Sequence, residues 1–232
     1  MFEIWAVTNR LLCSDKNAFL YQVEKIASSG VKALILREKD LPENEYEELA
    51  ISVAALCEKN NVRFIVHTFL ETARRLNTPL HLPWNVFYEL QKNNIHTDFG
   101  VSVHSTSEAV TAAGGAVAAT ASETAAALET AVAATRASWL LGGHIFQTKC
   151  KEGLEGRGPQ MLSDVCKVSK APVYGIGGID SSNIELIVKS GAQGACLMSS
   201  LMLSPDPEAL VNELLAKIKP NQHYGQTLNK SC

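Results

Sequence analysis

PVYGIGGIDSSNIELIVKSGAQGACLMSS runs from Pro172 to Ser200. A short apolar run, Pro172–Ile176, ends on Gly177 and Gly178. A periodic run, Asn183–Ser190, ends on Gly191. A second apolar run, Gly194–Met198, ends on Ser199 and Ser200. Continuous short apolar runs suit parallel strands covered on both faces, and a glycine after a periodic segment closes a helix. The stretch reads strand–helix–strand, the unit of α/β folds.

The same unit recurs toward the N-terminus. Phe2–Thr8, Ala33–Lys39, Arg63–His67, Pro79–Leu82, Phe99–His104 and Ser138–Gly142 are strand-like. Between them, Lys16–Ser29 places Phe19, Val23, Ile26 and Ala27 at helical spacing. Glu43–Asn60 puts Tyr46, Leu49, Ala50, Val53, Leu56 and Cys57 on one face, an amphipathic helix. Shorter helices are expected at Leu70–Leu76, Asn85–Lys92 and Pro159–Lys167, where Pro159 suits a first turn. Asp206–Lys219 is the last, with Leu210, Val211, Leu214, Leu215 and Ile218 facing inward. Eight units in 232 residues predict one α/β domain over residues 1–219, a TIM (β/α)8 barrel. A doubly wound open sheet shares this periodicity and stands as the alternative.

One segment departs from the template. Ala109–Ala137 is almost entirely alanine, threonine, glutamate and valine. Alanine favours helix and Gly114–Gly115 should interrupt it. A single unbroken helix would reach roughly 40 Å at about 1.5 Å per residue, longer than a barrel is tall. The expectation is a broken or protruding helical insertion, either a tolerated surface feature or an oligomer contact. Residues 220–232 read as a loose polar tail.

Net charge is −3, from 21 Lys+Arg against 24 Asp+Glu. That balance points neither to nucleic acid nor to an acidic tail, so any positive patch must be local. Cys13, Cys57, Cys150, Cys166, Cys196 and Cys232 form no CxxC pair. Their spacing suggests neither a zinc site nor a disulfide framework. The first residues, MFEIWAVTN, enter a strand directly, without the pattern of a signal peptide. No apolar stretch is long enough to span a bilayer. The expectation is a cytoplasmic protein that engages neither membrane nor nucleic acid.

In such barrels the loops after the strands carry the chemistry. The strand ends hold Thr8 and Asn9, Arg37 and Lys39, His67 and Thr68, Leu82 and Pro83, Ser102 and His104, His144, Gly177 and Gly178, and Ser199 and Ser200. Gly177–Gly178, read as lying directly before a helix, and Ser199–Ser200 occupy the two positions where barrel enzymes frequently bind phosphate. A tight turn and a helix cap are the plainer readings of the two pairs. Arg37 and Lys39 stand two apart and so project the same way from a strand. They are either surface charge or an anion clamp, to which Lys151 in the long loop Gly142–Gly158 could add. His144 is the candidate for proton transfer, because imidazole titrates near neutrality. Position alone leaves a structural histidine equally open. His67 is the runner-up, and His104 reads as a loop or capping residue. No Ser-His-Asp order or HExxH spacing is present.

LREKDL, FGVSVHSTSEA, GHIFQTKCKEGLEGRG, YGIGGI and LMSS together resemble the thiamine phosphate synthase superfamily, and within it the thiazole tautomerase (TenI-type) branch. The similarity covers most of the chain apart from the alanine-rich stretch and the tail. It implies a phosphate-binding barrel of thiamine biosynthesis and, for this branch, no cofactor and no metal. Synthases of the superfamily join an aminopyrimidine diphosphate to a thiazole phosphate with magnesium, using an Asn-Asp pair after strand three and a GQ-acid-Asp motif after strand four. Here those places read His67-Thr68 and Pro83-Trp84-Asn85-Val86. Magnesium prefers carboxylate oxygens, so the resemblance favours the isomerase over the transferase. It implies a thiazole phosphate substrate, with His144 as base, acid or both. Gly177, Gly178, Ser199 and Ser200 would hold phosphate; Arg37, Lys39 and Lys151 would hold carboxylate, and His67 would border the substrate pocket. A homodimer is expected. The transferase, and a barrel that binds thiazole phosphate as a non-catalytic regulator, are the alternatives.

Overall fold

The computed structural model describes residues 1–90, 98–114, 136–148 and 153–218. Eight parallel strands close into a barrel in sequence order, the last pairing with the first. They are β1 (Glu3–Val7), β2 (Ala33–Leu36), β3 (Arg63–His67), β4 (Leu80–Leu82), β5 (Phe99–Val103), β6 (Trp139–Gly143), β7 (Val173–Ile176) and β8 (Gly194–Leu197). Closure removes the open-sheet alternative.

The described helices are α1 (Lys16–Ser28), α2 (Glu43–Lys59), α3 (Leu70–Arg75), α4 (Trp84–Leu90), α5 (Thr106–Ala112), α6 (Gly158–Val168), α7 (Ile184–Lys189), α8 (Ser199–Met202) and α9 (Pro207–Lys217). Capping fixes several starts. Asp15 accepts from the N–H groups of Asn17 and Ala18, Ser105 from Glu108, and Asp206 from Ala209. Each satisfies donors that a helix start leaves unpaired. A 3-10 turn at Arg10–Leu12, capped by the Asn9 side chain, has no counterpart in the sequence reading. In α9, Val211 and Leu214 are buried while Leu210, Leu215 and Ile218 pack partly buried against the core.

Strand residues alternate between two apolar layers. Ile4, Ala6, Leu34, Leu36, Val66, Leu80, Leu82, Val101, Leu140 and Ala195 face the helices. Trp5, Val7, Ala33, Ile35, Ile65, Trp139, Leu141, Tyr174 and Cys196 fill the barrel interior. The interior is packed tightly enough that a Cβ on Gly100 would lie 2.1 Å from the Trp139 ring. The described thiols Cys13, Cys57, Cys166 and Cys196 are all free.

Of the alanine-rich segment, Ala109 and Ala112 are buried in α5. Gly114, with φ +82°, follows the end of that helix, as its lack of a side chain permits. Residues 115–135 and the tail from residue 219 lie outside the described residues. Among the described residues no helix is long and apolar enough to cross a membrane.

Candidate active site

A cavity of about 750 Å³ opens at the C-terminal ends of the strands. Its wall includes Arg37, Lys39, His67, His144, Gly177, Gly178, Ser199 and Ser200. Eight of the nine residues singled out from sequence are thus brought to one concavity. The ninth, Lys151, lies outside the described residues.

Arg37 and Lys39 reach the cavity from a loop, because β2 ends at Leu36. Projection from a strand is therefore corrected. The residue between them, Glu38, is buried and anchors the loop from the other side. Its carboxylate accepts from Thr8 Oγ1 at 2.5 Å and from the Arg10 N–H at 2.9 Å, while the Arg37 N–H donates to Thr8 Oγ1 at 3.0 Å. Burial pushes the Glu38 carboxyl above its usual range, and the hydrogen bonds from Thr8 and Arg10 oppose that shift.

The β6 and β7 loops are zipped together. The N–H of Ile145 donates to Ile176 O and that of Phe146 to Gly177 O. The His144 carbonyl accepts from the Arg157 N–H at 2.9 Å, closing the long loop back on the strand end. A Cβ on Gly177 would sit 2.4 Å from His144 Cβ, and one on Gly178 would sit 2.5 Å from Gln147 O. Both glycines have positive φ, +103° and +65°. They are required first by this close approach of two loops. The placement of Gly177–Gly178 directly before a helix is also corrected. α7 begins only at Ile184, and the intervening turn is tied by Asp180, which accepts from the Ser182 N–H and hydroxyl. Ser199 and Ser200 do begin a helix, the single turn α8. The His144 side chain is half-buried, and its Nε2 lies 3.4 Å from the Leu154 carbonyl, at the weak end of hydrogen bonding.

His67 is buried and its Nδ1 pairs with Thr68 Oγ1 at 2.7 Å. Burial, then the neighbouring His81, Arg37 and Lys39, hold its imidazole well below the usual histidine range. It is a neutral member of the wall. His104 is held by Glu108, which accepts from its backbone N–H at 2.7 Å and meets its Nδ1 at 3.1 Å. The cap of α5 is the next residue, Ser105, and His104 stands before it in the loop, lining the cavity.

Sequence reasoning passed over other wall residues. Gln147 and Thr148 stand in the quoted loop motif, and Trp84 and Asn85 in the departure after strand four. His81, on β4, is buried behind the wall residue Ser102 and does not line the cavity itself; it was missed altogether, because its flanking leucines make the strand read as plain core.

Magnesium fits this wall poorly. Asp180 is the one carboxylate among the described wall residues, and it already accepts from Ser182. The positions after β3 and β4 offer imidazole, hydroxyl, indole and amide groups, where magnesium asks for carboxylate oxygens. Among the described residues no cluster of three or more His, Cys, Asp or Glu side chains could hold a metal.

The thiamine monophosphate synthase profile matches residues 4–201. The chain belongs to that family. Relatives include thiamine-phosphate synthase 2 of Streptococcus pneumoniae, 28% identical over 223 residues covering 93% of this chain and 95% of that protein. Thiamine-phosphate synthase of Fusobacterium nucleatum is 24% identical over 219 residues, covering 92% and 95%. Among solved structures, thiamine phosphate pyrophosphorylase from Pyrococcus furiosus superposes with TM-score 0.69 at 22% identity, covering 93% of this chain and 95% of that one. A 3-hexulose-6-phosphate synthase superposes with TM-score 0.60 at 14% identity, covering 94% and 100%, a likeness of fold alone. The family assignment supports an enzyme of thiamine biosynthesis acting on small phosphorylated molecules.

Proposed function

We propose that the chain is a thiazole tautomerase, which converts a non-aromatic carboxythiazole phosphate bearing an exocyclic double bond into its aromatic isomer. The supporting observation is the company His144 keeps. It shares one cavity with two loops suited to phosphate and with two cations suited to carboxylate. The reaction needs no more than this. A base removes the ring C2 proton, the C–H electron pair is drawn into the ring, and an acid delivers a proton to the exocyclic carbon. Nothing is gained or lost, and aromaticity supplies the driving force. His144 takes the proton-transfer role. Gly177, Gly178, Ser199 and Ser200 receive the phosphate, Arg37 and Lys39 the carboxylate, and His67 closes the wall as an uncharged group. General acid–base help of this kind contributes about a hundred- to ten-thousand-fold in rate.

A second reading is the coupling of an aminopyrimidine diphosphate to thiazole phosphate. The names of the relatives favour it, and the poor fit of the wall to magnesium speaks against it. Two assays separate them. The non-aromatic tautomer alone, without added metal, is expected to give the aromatic product. The coupling substrates with magnesium are expected to give no thiamine phosphate. The opposite pair of results installs the synthase reading.

A further inference from the structure

The interior face of the barrel turns polar at three consecutive strands. His67 on β3, His81 on β4 and Ser102 on β5 occupy the inward register that Trp5, Ile35, Leu141 and Tyr174 hold elsewhere. His67 and His81 are directly paired across β3 and β4, with ring centroids 5.8 Å apart. His81 is the more enclosed of the two, 1% exposed, and burial takes its imidazole down to about 3. The ring is neutral at any working pH, so one nitrogen carries a hydrogen and the other a bare lone pair.

Which nitrogen is which follows from its surroundings. Nε2 lies 2.8 Å from Ser102 Oγ. Nδ1 is buried with no hydrogen-bond partner among the described residues. A buried N–H without an acceptor is rarer in folded proteins than an under-satisfied acceptor. The hydrogen therefore belongs on Nε2, donating to Ser102 Oγ. That leaves the serine's own O–H to donate elsewhere, and Ser102 lines the cavity.

We propose that His81 is a positioning residue that fixes Ser102 as a hydrogen-bond donor to an acceptor atom of the ligand, on the β3–β5 side of the cavity. This rests on reading the cavity as the site for a phosphorylated thiazole. The acceptor is an anionic oxygen or a ring nitrogen of that ligand. Reversing the tautomer would spend the Ser102 hydrogen on His81 and turn an acceptor, in place of a donor, toward the ligand.

Two measurements test it. Nitrogen NMR of the wild-type protein labelled at histidine reads the tautomer directly; the Nε2–H form of His81 is expected, and the Nδ1–H form overturns the proposal. Calorimetric binding of the aromatic carboxythiazole phosphate to four variants reads the coupling. Ser102→Ala and His81→Leu are each expected to weaken binding about tenfold. The double variant should be no weaker than either single one. His81→Gln, whose amide N–H can take the place of Nε2–H, should recover most of the affinity. Full affinity in His81→Leu, or losses that add in the double variant, overturns the assignment. If the wild type does not bind this probe, the tautomer alone decides. Neither measurement uses turnover, so a failed tautomerase assay removes the reaction assigned above without deciding the role of His81.

Discussion

Trp5, Trp139 and Tyr174 close one end of the barrel interior, and His67, Ser102, His144 and the loop glycines surround the other. At the N-terminal end, Trp5 stacks on Tyr174 with ring centroids 3.9 Å apart and meets Trp139 at 5.8 Å. Glu3 accepts from Trp5 Nε1 at 2.8 Å and from the Tyr174 hydroxyl at 2.9 Å. Arg63 lies over the Trp139 ring at 4.6 Å and pairs with Asp98. These groups are engaged with one another, and the result is a plug. At the C-terminal end, backbone and buried side chains hold polar groups against a cavity. Glu38 anchors the loop that carries Arg37 and Lys39, two glycines let the β7 loop lie against His144, and His81 meets Ser102. One end should set stability, the other chemistry.

The largest effect that could break this contrast is at the plug. Trp5→Ala should cost about 3–5 kcal/mol in urea unfolding, with affinity for the aromatic carboxythiazole phosphate retained in the folded protein. A loss under about 1 kcal/mol would deny the plug its role. Next comes Gly177→Ala, where a Cβ meets His144 at 2.4 Å on a backbone with φ +103°. Strain and overpacking should together cost roughly 3 kcal/mol. Unlike Trp5→Ala, it should also impair binding, because the displaced residue is in the wall.

Acid should find the buried imidazoles of the mouth. His81 and His67 have folded pKa values depressed below the ordinary 6.5. Between those values and 6.5 the unfolded chain binds the protons, so stability is full above 6.5 and falls as pH drops. With His81 near 3, the loss from that ring alone is about 2 kcal/mol by about pH 5. Glu38, raised by burial, acts in the opposite sense and offsets part of it. Urea midpoints from pH 7 to pH 5 should therefore fall, and the fall should be shallower in His81→Leu. An equal slope in both proteins would contradict the burial of that ring. The smallest effect is at Arg37. Arg37→Met keeps the backbone N–H that joins the Glu38 anchor, and should cost about 1 kcal/mol or less in stability. Binding of the carboxythiazole phosphate should weaken by about 1.4 kcal/mol, a factor of about ten.

The two ends also differ in how far they could be read from sequence. Apolar runs with helical runs between them carry the barrel, because burial on both faces leaves a simple pattern in every strand. Strand ends carry most of the cavity wall, since a (β/α)8 barrel sends them all to one face. What escaped depends on pairing between strands. His81 sits between two leucines in a three-residue strand, and its partner Ser102 is twenty-one positions away on the next strand. Only the inward register, polar in the midst of apolar residues, could have signalled it. Likewise, Gly177 and Gly178 look like a phosphate loop in one dimension. The close approach of His144 and Gln147 that excludes a Cβ at either position needs the β6 loop folded against them. The helix-start reading failed because Asp180 and Ser182 build a turn before α7.

The central claim is that one imidazole at the mouth moves the proton. Following the non-aromatic carboxythiazole phosphate by NMR, with wild type and His144→Ala side by side, tests it most directly. The account predicts aromatisation slower by about a hundred- to ten-thousand-fold in the variant, with its urea midpoint and its binding of the aromatic product preserved. Aromatisation at the wild-type rate in His144→Ala would contradict it.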